Sequence, residues 1–321
     1  MSRLADFMVL AMLCGSVWSY AQDYPNRPIR LLVPTTAGGG SDIIVRPVAQ
    51  RLGESMKQTF VIDNRAGASG IIAMEIAAKA PPDGYTIVFA TIGNIATNYA
   101  ILPKLPFHPI KDFSPITKLV DSPFLVVVHP GLTIRTLTDL VAEAKTQPGK
   151  LTYGTFGVGS FPHLLFENFG NIAGVKFVHV PYKGSAPAQL DLLAGQISMM
   201  FDSMQSAMPH VRANRLRAIA IGTRVRQAAA PDVPTFVESG YTDFEAIAWW
   251  GMFAPAGTPK AIVKRLHDEI VAALWAPEVR ERLQSLGAIA VGNTSEEFAV
   301  QIRSAINRYV KVARDSNIRG E

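Results

Sequence analysis

The sequence predicts an α/β fold arranged as two lobes, and three observations carry that prediction. Short apolar, β-branched runs alternate with segments whose apolar residues recur at helical spacing, the signature of strands separated by helices. The connecting segments are long enough to cross over a sheet, so the strands read as mainly parallel. The alternation also occurs twice, over residues 29–90 and over 124–221, which predicts two units. With 321 residues, 48% of them hydrophobic and 18% charged, the chain is too long for one small domain and too apolar for disorder.

In the first unit, residues 29–33 read as a buried strand, followed by the loop PTTAGGGSD and a helical stretch over 43–52 that Pro47 should kink or shorten. A strand at 59–62, a glycine-bearing loop at 64–70, a helix to Ala80, the turn Asp83-Gly84 and a strand at 86–90 complete it. The second unit opens with a strand at 124–128 and a helix whose start, Thr136 with Asp139, spells a capping box. A strand at 151–153, the loop GTFGVGS, a helix from about Pro162 and a strand at 176–180 follow. The loop PYKGSAP, a helix at 188–194 and strands at 197–201 and 217–221 close the unit. Towards the end, Thr258-Pro259 reads as an N-cap and first-turn proline before the stripe Ile262, Leu266, Ile270 and Leu274. Thr294 with Glu297 opens a last helix carrying Phe298, Ile302, Ile306 and Val310 on one face.

Residues 1–21 have the order of a cleavable secretory signal: Arg3, an apolar run over 7–18 too short to span a bilayer, then Ser19 and Ala21 at the positions a signal peptidase tests. Asp6 is atypical there, and a buried helix or uncleaved anchor is the alternative. The only cysteine, Cys14, lies within this run. Removing the segment takes away one positive and one negative charge, Arg3 and Asp6, so the formal net charge of +5 is unchanged. The mature chain is then a periplasmic or extracellular protein without disulfides, held by its cores. Lys and Arg are scattered with no run of five, which makes nucleic acid an unexpected partner. No later stretch reaches 18 consecutive apolar residues, so a soluble mature protein is expected.

Two loops could carry chemistry. Residues 38–42, Gly38-Gly39-Gly40-Ser41-Asp42, lie between a strand and a helix, where unpaired N–H groups can receive an anion. The same pattern fits an ordinary βα turn capped by Ser41 or Asp42, and it is neither a Walker loop nor GxGxxG. Gly157, Gly159 and Ser160, beside Phe161 and His163, repeat this arrangement in the second unit. Asp202 at a strand end reads equally as a cleft carboxylate or as the cap of the next turn. Enzyme signatures are missing. Neither glycine-serine segment forms the G-x-S-x-G elbow, and no serine has an identifiable base. The six histidines contain no H-x-x-x-H pair, and no cysteine remains for zinc. Neither a catalytic residue, a metal nor a cofactor is expected.

The chain resembles one family over nearly its whole length. PTTAGGGSD, VIDNRAGASG, PPDGYT, KDFSPI, VPYKGSAPAQLDLLAGQI, MFDS, PDVPTFVESG and WWGMFAPAGTP occur in order from about Tyr24 to the C-terminus. They are similar to the solute-binding proteins of tripartite tricarboxylate transporters, the Bug (Bordetella uptake gene) family. The resemblance implies a two-lobed periplasmic binding protein, a Venus flytrap of type II topology. Lobe one would be 24–124 with 248–321 and lobe two 125–247, joined by crossing strands at 124–128 and 244–253. It also implies a small organic acid as ligand, the membrane subunits of the transporter as partners, and a monomer. Carried over by position, the contacts would come from Thr35, Thr36, Gly38, Gly39, Gly40, Ser41 and Asp42, and from Thr91 and Asn94. The second lobe would add Gly157, Gly159, Ser160, Phe161 and His163, with Ser185 and Asp202. Many relatives have an aromatic residue where Thr35 stands, so ligand identity does not transfer. A periplasmic sensor for a signalling receptor, or a hydrolase, are the competing readings.

Overall fold

The computed structural model describes residues 24–320, apart from 36, 39 and 183; the signal-peptide reading of residues 1–21 and the expected contacts Thr36 and Gly39 therefore lie outside the described residues. Strand β1 (Ile29–Val33) leads into helix α1 (Gly40–Met56), then β2 (Phe60–Asn64), α2 (Ile71–Ala78) and β3 (Thr86–Thr91). A π-turn at Gly93–Thr97 and the short α3 (Asn98–Ile101) precede β4 (Phe113–Val128). The chain continues with α4 (Leu137–Thr146), β5 (Thr152–Thr155), α5 (Phe161–Ala173), β6 (Val178–Pro181) and α6 (Ser185–Leu193). Next come β7 (Met199–Ser203), α7 (Met204–Arg212), β8 (Arg217–Ile221) and β9 (Ile247–Pro255). Helices α8 (Lys260–Leu274) and α9 (Pro277–Ser285), strand β10 (Ile289–Ala290) and helix α10 (Ser295–Asp315) complete it.

The strands form two groups that share β4. One is ordered β2-β1-β3-β9-β4, the other β6-β5-β7-β4-β8. Each has three parallel strands, then an antiparallel strand inserted between the third and a final one. In the first group the inserted strand is β9, and in the second it is the C-terminal half of β4. The same winding thus occurs twice. Beside the shared strand, Phe124 N donates to Ala246 O at 2.8 Å, Gly222 N to Phe124 O at 2.9 Å and Ala246 N to Gly222 O at 3.1 Å. A Cβ on Gly222 would sit 2.5 Å or less from the Ala246 backbone, so only glycine allows this approach.

Three apolar clusters fill the layers. One lies under α1, α8 and α9 against the first strand group, with Val48, Leu52, Leu266, Ile270 and Leu283. A second lies under α6 and α7 against the second group, with Leu192, Met200 and Met208. The third is continuous across both groups and holds Val88, Phe169, Phe201 and Phe253 together with Phe298, Ile302 and Tyr309 of α10. Fully buried side chains of this size contribute roughly 1.5–3 kcal/mol each. Helix α10 spans the two groups: Ser295 Oγ donates to Ile116 O at 2.7 Å, while Tyr309 packs edge-on against Phe161 of α5 at 5.9 Å. No helix of the described residues is long and apolar enough to cross a membrane.

Several local expectations change. Helix α1 runs 17 residues through Pro47, so the proline does not shorten it. The cap of α8 is Pro259, and Thr258 Oγ1 instead donates to Pro255 O at 2.8 Å. The stripe on α10 holds for Phe298, Ile302 and Ile306, but Val310 is exposed and Tyr309 takes its place. Four-residue steps overrun a 3.6-residue turn by about 40° each, so the third step leaves the buried face. Strand β4 starts at Phe113, eleven residues before the expected start at 124, with register shifts after Pro115 and Lys118. The second crossing is an extended link at Ala246 that enters β9 only at Ile247.

Candidate functional site

Strand register locates the site. Because β1, β2 and β3 are parallel, their carboxyl ends lie on one edge, and Thr91 at the end of β3 is level through Trp250 of β9 with Val120 of β4. The ends of β5, β6 and β7 lie on another edge, and Ser203 at the end of β7 pairs with Phe124 of β4. The two carboxyl edges therefore face one another across four residues of β4, about 13 Å of extended chain. Ligands of α/β sheets bind outside the carboxyl ends of strands, where the connections diverge.

On the first side, the loop after β1 is closed by Asp42. Its Oδ2 accepts from Gly38 N at 2.8 Å and from Arg46 Nε at 2.7 Å, and its Oδ1 from Asn64 Nδ2 at 3.0 Å. Burial alone would raise its carboxyl, but the bonds from Arg46, Gly38 and Asn64 outweigh it and hold the group below the ordinary range. Asp42 is thus the staple of this loop. Ser41 Oγ accepts from Trp250 Nε1 at 3.0 Å. Gly38 has φ +77° with open space where a Cβ would be, and Gly40 is the first residue of α1. Thr35 Oγ1 is buried with no hydrogen-bond partner among the described residues.

Thr91 and Asn94 bond to each other: Thr91 N and Oγ1 both donate to Asn94 Oδ1 at 3.0 Å. Asn94 Nδ2 and Asn98 Nδ2 then donate to Ser69 O at 2.9 and 3.1 Å. Ala68 and Ser69 have φ of +45° and +52°, left-handed values that cost energy in a residue with a Cβ. Sequence reading missed Asn64, Ser69, Asn98 and Trp250. The glycine-bearing loop 64–70 was the only signal for Asn64 and Ser69, and Asn98 had none.

On the second side, Ser160 does not cap α5 with its side chain. Its Oγ donates to Gly157 O at 2.7 Å and closes a turn in which Gly157 and Gly159 have φ of +126° and +71°. Phe161 is the first helical residue and Pro162, which has no N–H, the second, so the first turn offers the Phe161 and His163 N–H groups, to which no side chain among the described residues bonds. His163 is buried, and its Nδ1 accepts from Gly159 N at 2.9 Å. A Cβ on Gly159 would meet Ile101 Cδ1 at 2.1 Å, which records how closely this loop and α3 approach each other. Ser185 opens α6 behind Gly184, again with no side-chain cap. Asp202 takes the capping role: Oδ1 accepts from Ser203 N at 2.8 Å and Oδ2 from Gln189 Nε2 at 2.8 Å. Burial pushes its carboxyl up to about 6, against opposing bonds from Ser206, Ser203 and Gln189.

The two carboxyl edges thus face each other across β4 and carry neutral donors, with Asp42 and Asp202 each bonded within its own strand group. Residues 44–318 match the model of the tripartite tricarboxylate transporter family receptor. The chain belongs to this family. It is 38% identical over 312 residues to the UPF0065 protein in the tcbD-tcbE intergenic region of Pseudomonas sp. (strain P51), covering 97% of this chain and 93% of that one. It is 35% identical to protein BugT of Bordetella pertussis, over 92% of this chain and 91% of the relative. Among solved structures, Rpa4515 of R. palustris with adipate superposes with a TM-score of 0.79 at 36% identity, covering 92% of this chain and 99% of that one. MatC from Rhodopseudomonas palustris with bound malate gives 0.76 at 30% identity, over 90% and 99%. The two-lobed periplasmic-binding-protein fold and a solute-binding role, expected from the resemblance, are those of this tripartite transporter receptor.

Proposed function

We propose that this receptor captures a small organic carboxylate between its two carboxyl edges and delivers it to the membrane subunits of a tripartite tricarboxylate transporter. It works as a monomer in the periplasm, after export and removal of residues 1–21. Lobe one is 24–124 with 248–321, lobe two is 125–247, and β4 with the Ala246 link is the hinge. The observation that carries the reading is that α5 and α6 start at the facing edge with no side-chain cap among the described residues. Such helix starts receive an anion through neutral donors and the helix dipole. Neutral donors balance a carboxylate without a deep Coulomb trap, so release remains fast when the lobes part. The adipate and malate bound by the two relatives are of this chemical class. Of the expected contacts, the Phe161 and His163 N–H groups at the α5 start, Thr35 and the α6 start at Ser185 fit direct roles, while the Gly38, Gly157, Gly159 and Ser160 N–H groups are held within their own turns. Asp42 and Asp202 act by shaping the segments beside them, and Asn94 by holding Ser69.

The test is thermal denaturation and calorimetric titration with adipate, malate and a panel of mono-, di- and tricarboxylates. A ligand at one hundred times its Kd adds about 2.7 kcal/mol to stability. At least one carboxylate is expected to raise the melting temperature in this concentration-dependent way; a panel without any such member overturns the reading.

A further inference from the structure

The loop before α5 is held by two histidines that the solute-binding role leaves unassigned as a pair. The His163 and His179 rings stack with centroids 3.8 Å apart and planes 13° from parallel. His163 Nδ1 accepts the Gly159 N–H, so the ring proton resides on Nε2. His179 Nε2 lies 2.7 Å from Thr155 Oγ1, and that hydroxyl donates to Gly157 O at 3.1 Å. The Thr155 hydroxyl, which also accepts the Gly157 N–H at 3.3 Å, bridges His179 to Gly157. Both glycines of the loop are thus tied, one through each ring, to the strand and helix behind them.

We infer that His163, backed by His179, is a positioning residue that holds the Gly157–Gly159 turn in the shape that presents the start of α5 to the ligand. The inference rests on the carboxylate reading for its functional meaning, but the anchoring can be measured without a ligand. Glycines with positive φ have no side chain to fix their turn, and loops of this kind open cheaply without an external anchor. An imidazole with an unprotonated Nδ1 is such an anchor. The groups facing the stack are Tyr153 of β5, 5.0 Å from His179, and Glu167 of α5, which accepts from the Tyr153 hydroxyl at 2.7 Å. On the α10 side, Tyr309 packs against Phe161 at the helix start. Burial holds His163 down to about 4; burial and then the neighbouring His163 ring hold His179 to about 4, with Glu167 pulling the other way. A protonated Nδ1 becomes a donor facing the Gly159 donor. The anchor is therefore present at neutral pH and lost as pH falls through about 4.

The experiment follows the Gly159 amide of the ¹⁵N-labelled protein from pH 7.5 to 3.5, by chemical shift and hydrogen exchange, in wild type, His163→Asn, His163→Gln and His163→Ala. In His163→Asn the amide oxygen stands near the place of Nδ1; in His163→Gln it stands nearer that of Nε2. The expected result is a wild-type Gly159 shift that titrates with the His163 ring. His163→Asn keeps slow exchange and loses the titration. His163→Gln and His163→Ala exchange roughly tenfold faster, the equivalent of one lost hydrogen bond. With adipate as probe, affinity should fall in the Gln and Ala variants and recover in the Asn variant. Gly159 exchange unchanged in His163→Ala, or His163→Asn behaving like His163→Ala, overturns the anchor. The wild-type titration decides the matter even if a variant fails to fold. The amide readout decides it whether or not adipate binds, so a wrong ligand class and a wrong anchor are told apart.

Discussion

The helices starting at Leu137 and Ser295 carry complete reciprocal caps, Thr136 with Asp139 and Thr294 with Glu297. Those starting at Phe161, Ser185 and Met204, all after strands of the second lobe, have no side-chain cap. Capped starts satisfy their N–H groups within the chain and add stability. Uncapped starts leave that capacity to something else. For α7 the neighbouring Asp202 substitutes through the Ser203 N–H, and for α5 and α6 the ligand is the proposed partner. Starts at Ile71, Asn98, Lys260 and Pro277 also lack a side-chain cap, so it is their place at the facing carboxyl edges, together with the missing cap, that sets α5 and α6 apart from the capped α4 and α10.

This division can be broken in four ways, taken from the largest effect down. Asp202 substitutes for a cap at the cost of a buried charge, with its carboxyl raised from 3.8 to about 6. A raised carboxyl contributes stability that is fully present below about pH 4 and is lost as pH rises through 6. Relative to Asp202→Asn, wild type should lose on the order of 3 kcal/mol between pH 4 and pH 7 in urea denaturation; a flat difference would place the charge in water. Ser160→Asp puts a fixed anion at the α5 start, so carboxylate affinity should drop about a hundredfold, while loss of the Ser160 Oγ–Gly157 O bond offsets the helix-dipole gain and leaves stability within about 1 kcal/mol of wild type. Undiminished binding in calorimetry would move the anion seat elsewhere. Thr294→Ala with Glu297→Ala should do the reverse, costing about 1–2 kcal/mol in denaturant midpoint with carboxylate affinity unchanged. Thr136→Ala alone should cost about 1 kcal/mol, again without touching affinity. Weaker binding from either cap deletion would merge the two classes of helix start.

Much of the fold was legible because its strands are apolar runs and its helices amphipathic. The first half of β4 was not. Pro115, Lys118, Asp121 and Pro123 break any alternation, and two register shifts in its pairing with β9 accommodate them. Helices α7 and α9 were passed over, the first being short and interrupted by Pro209. The glycine loops at 38–42 and 154–160 were legible as special, since positive φ needs glycine. Which way their polar side chains turn was not. Asp42, Ser160 and Asp202 all bond to their own lobes, and those partners range from 1 to 22 positions away, set by how the turn and helix fold rather than by any residue pattern. The left-handed Ala68 and Ser69 carry no sequence mark at all.

The insertion of β9 between β3 and β4 also sets a timetable for folding. Val88 pairs with Phe253 and Phe113 with Pro255, so the first lobe, though begun at Ile29, cannot close its sheet until more than two hundred further residues have emerged. Loop closure over such a span must precede the contacts that reward it, which slows folding. A chain threaded end-first through a narrow opening would keep its leading half unlocked until nearly all of it had passed, and would then join both halves together as α10 settles across them.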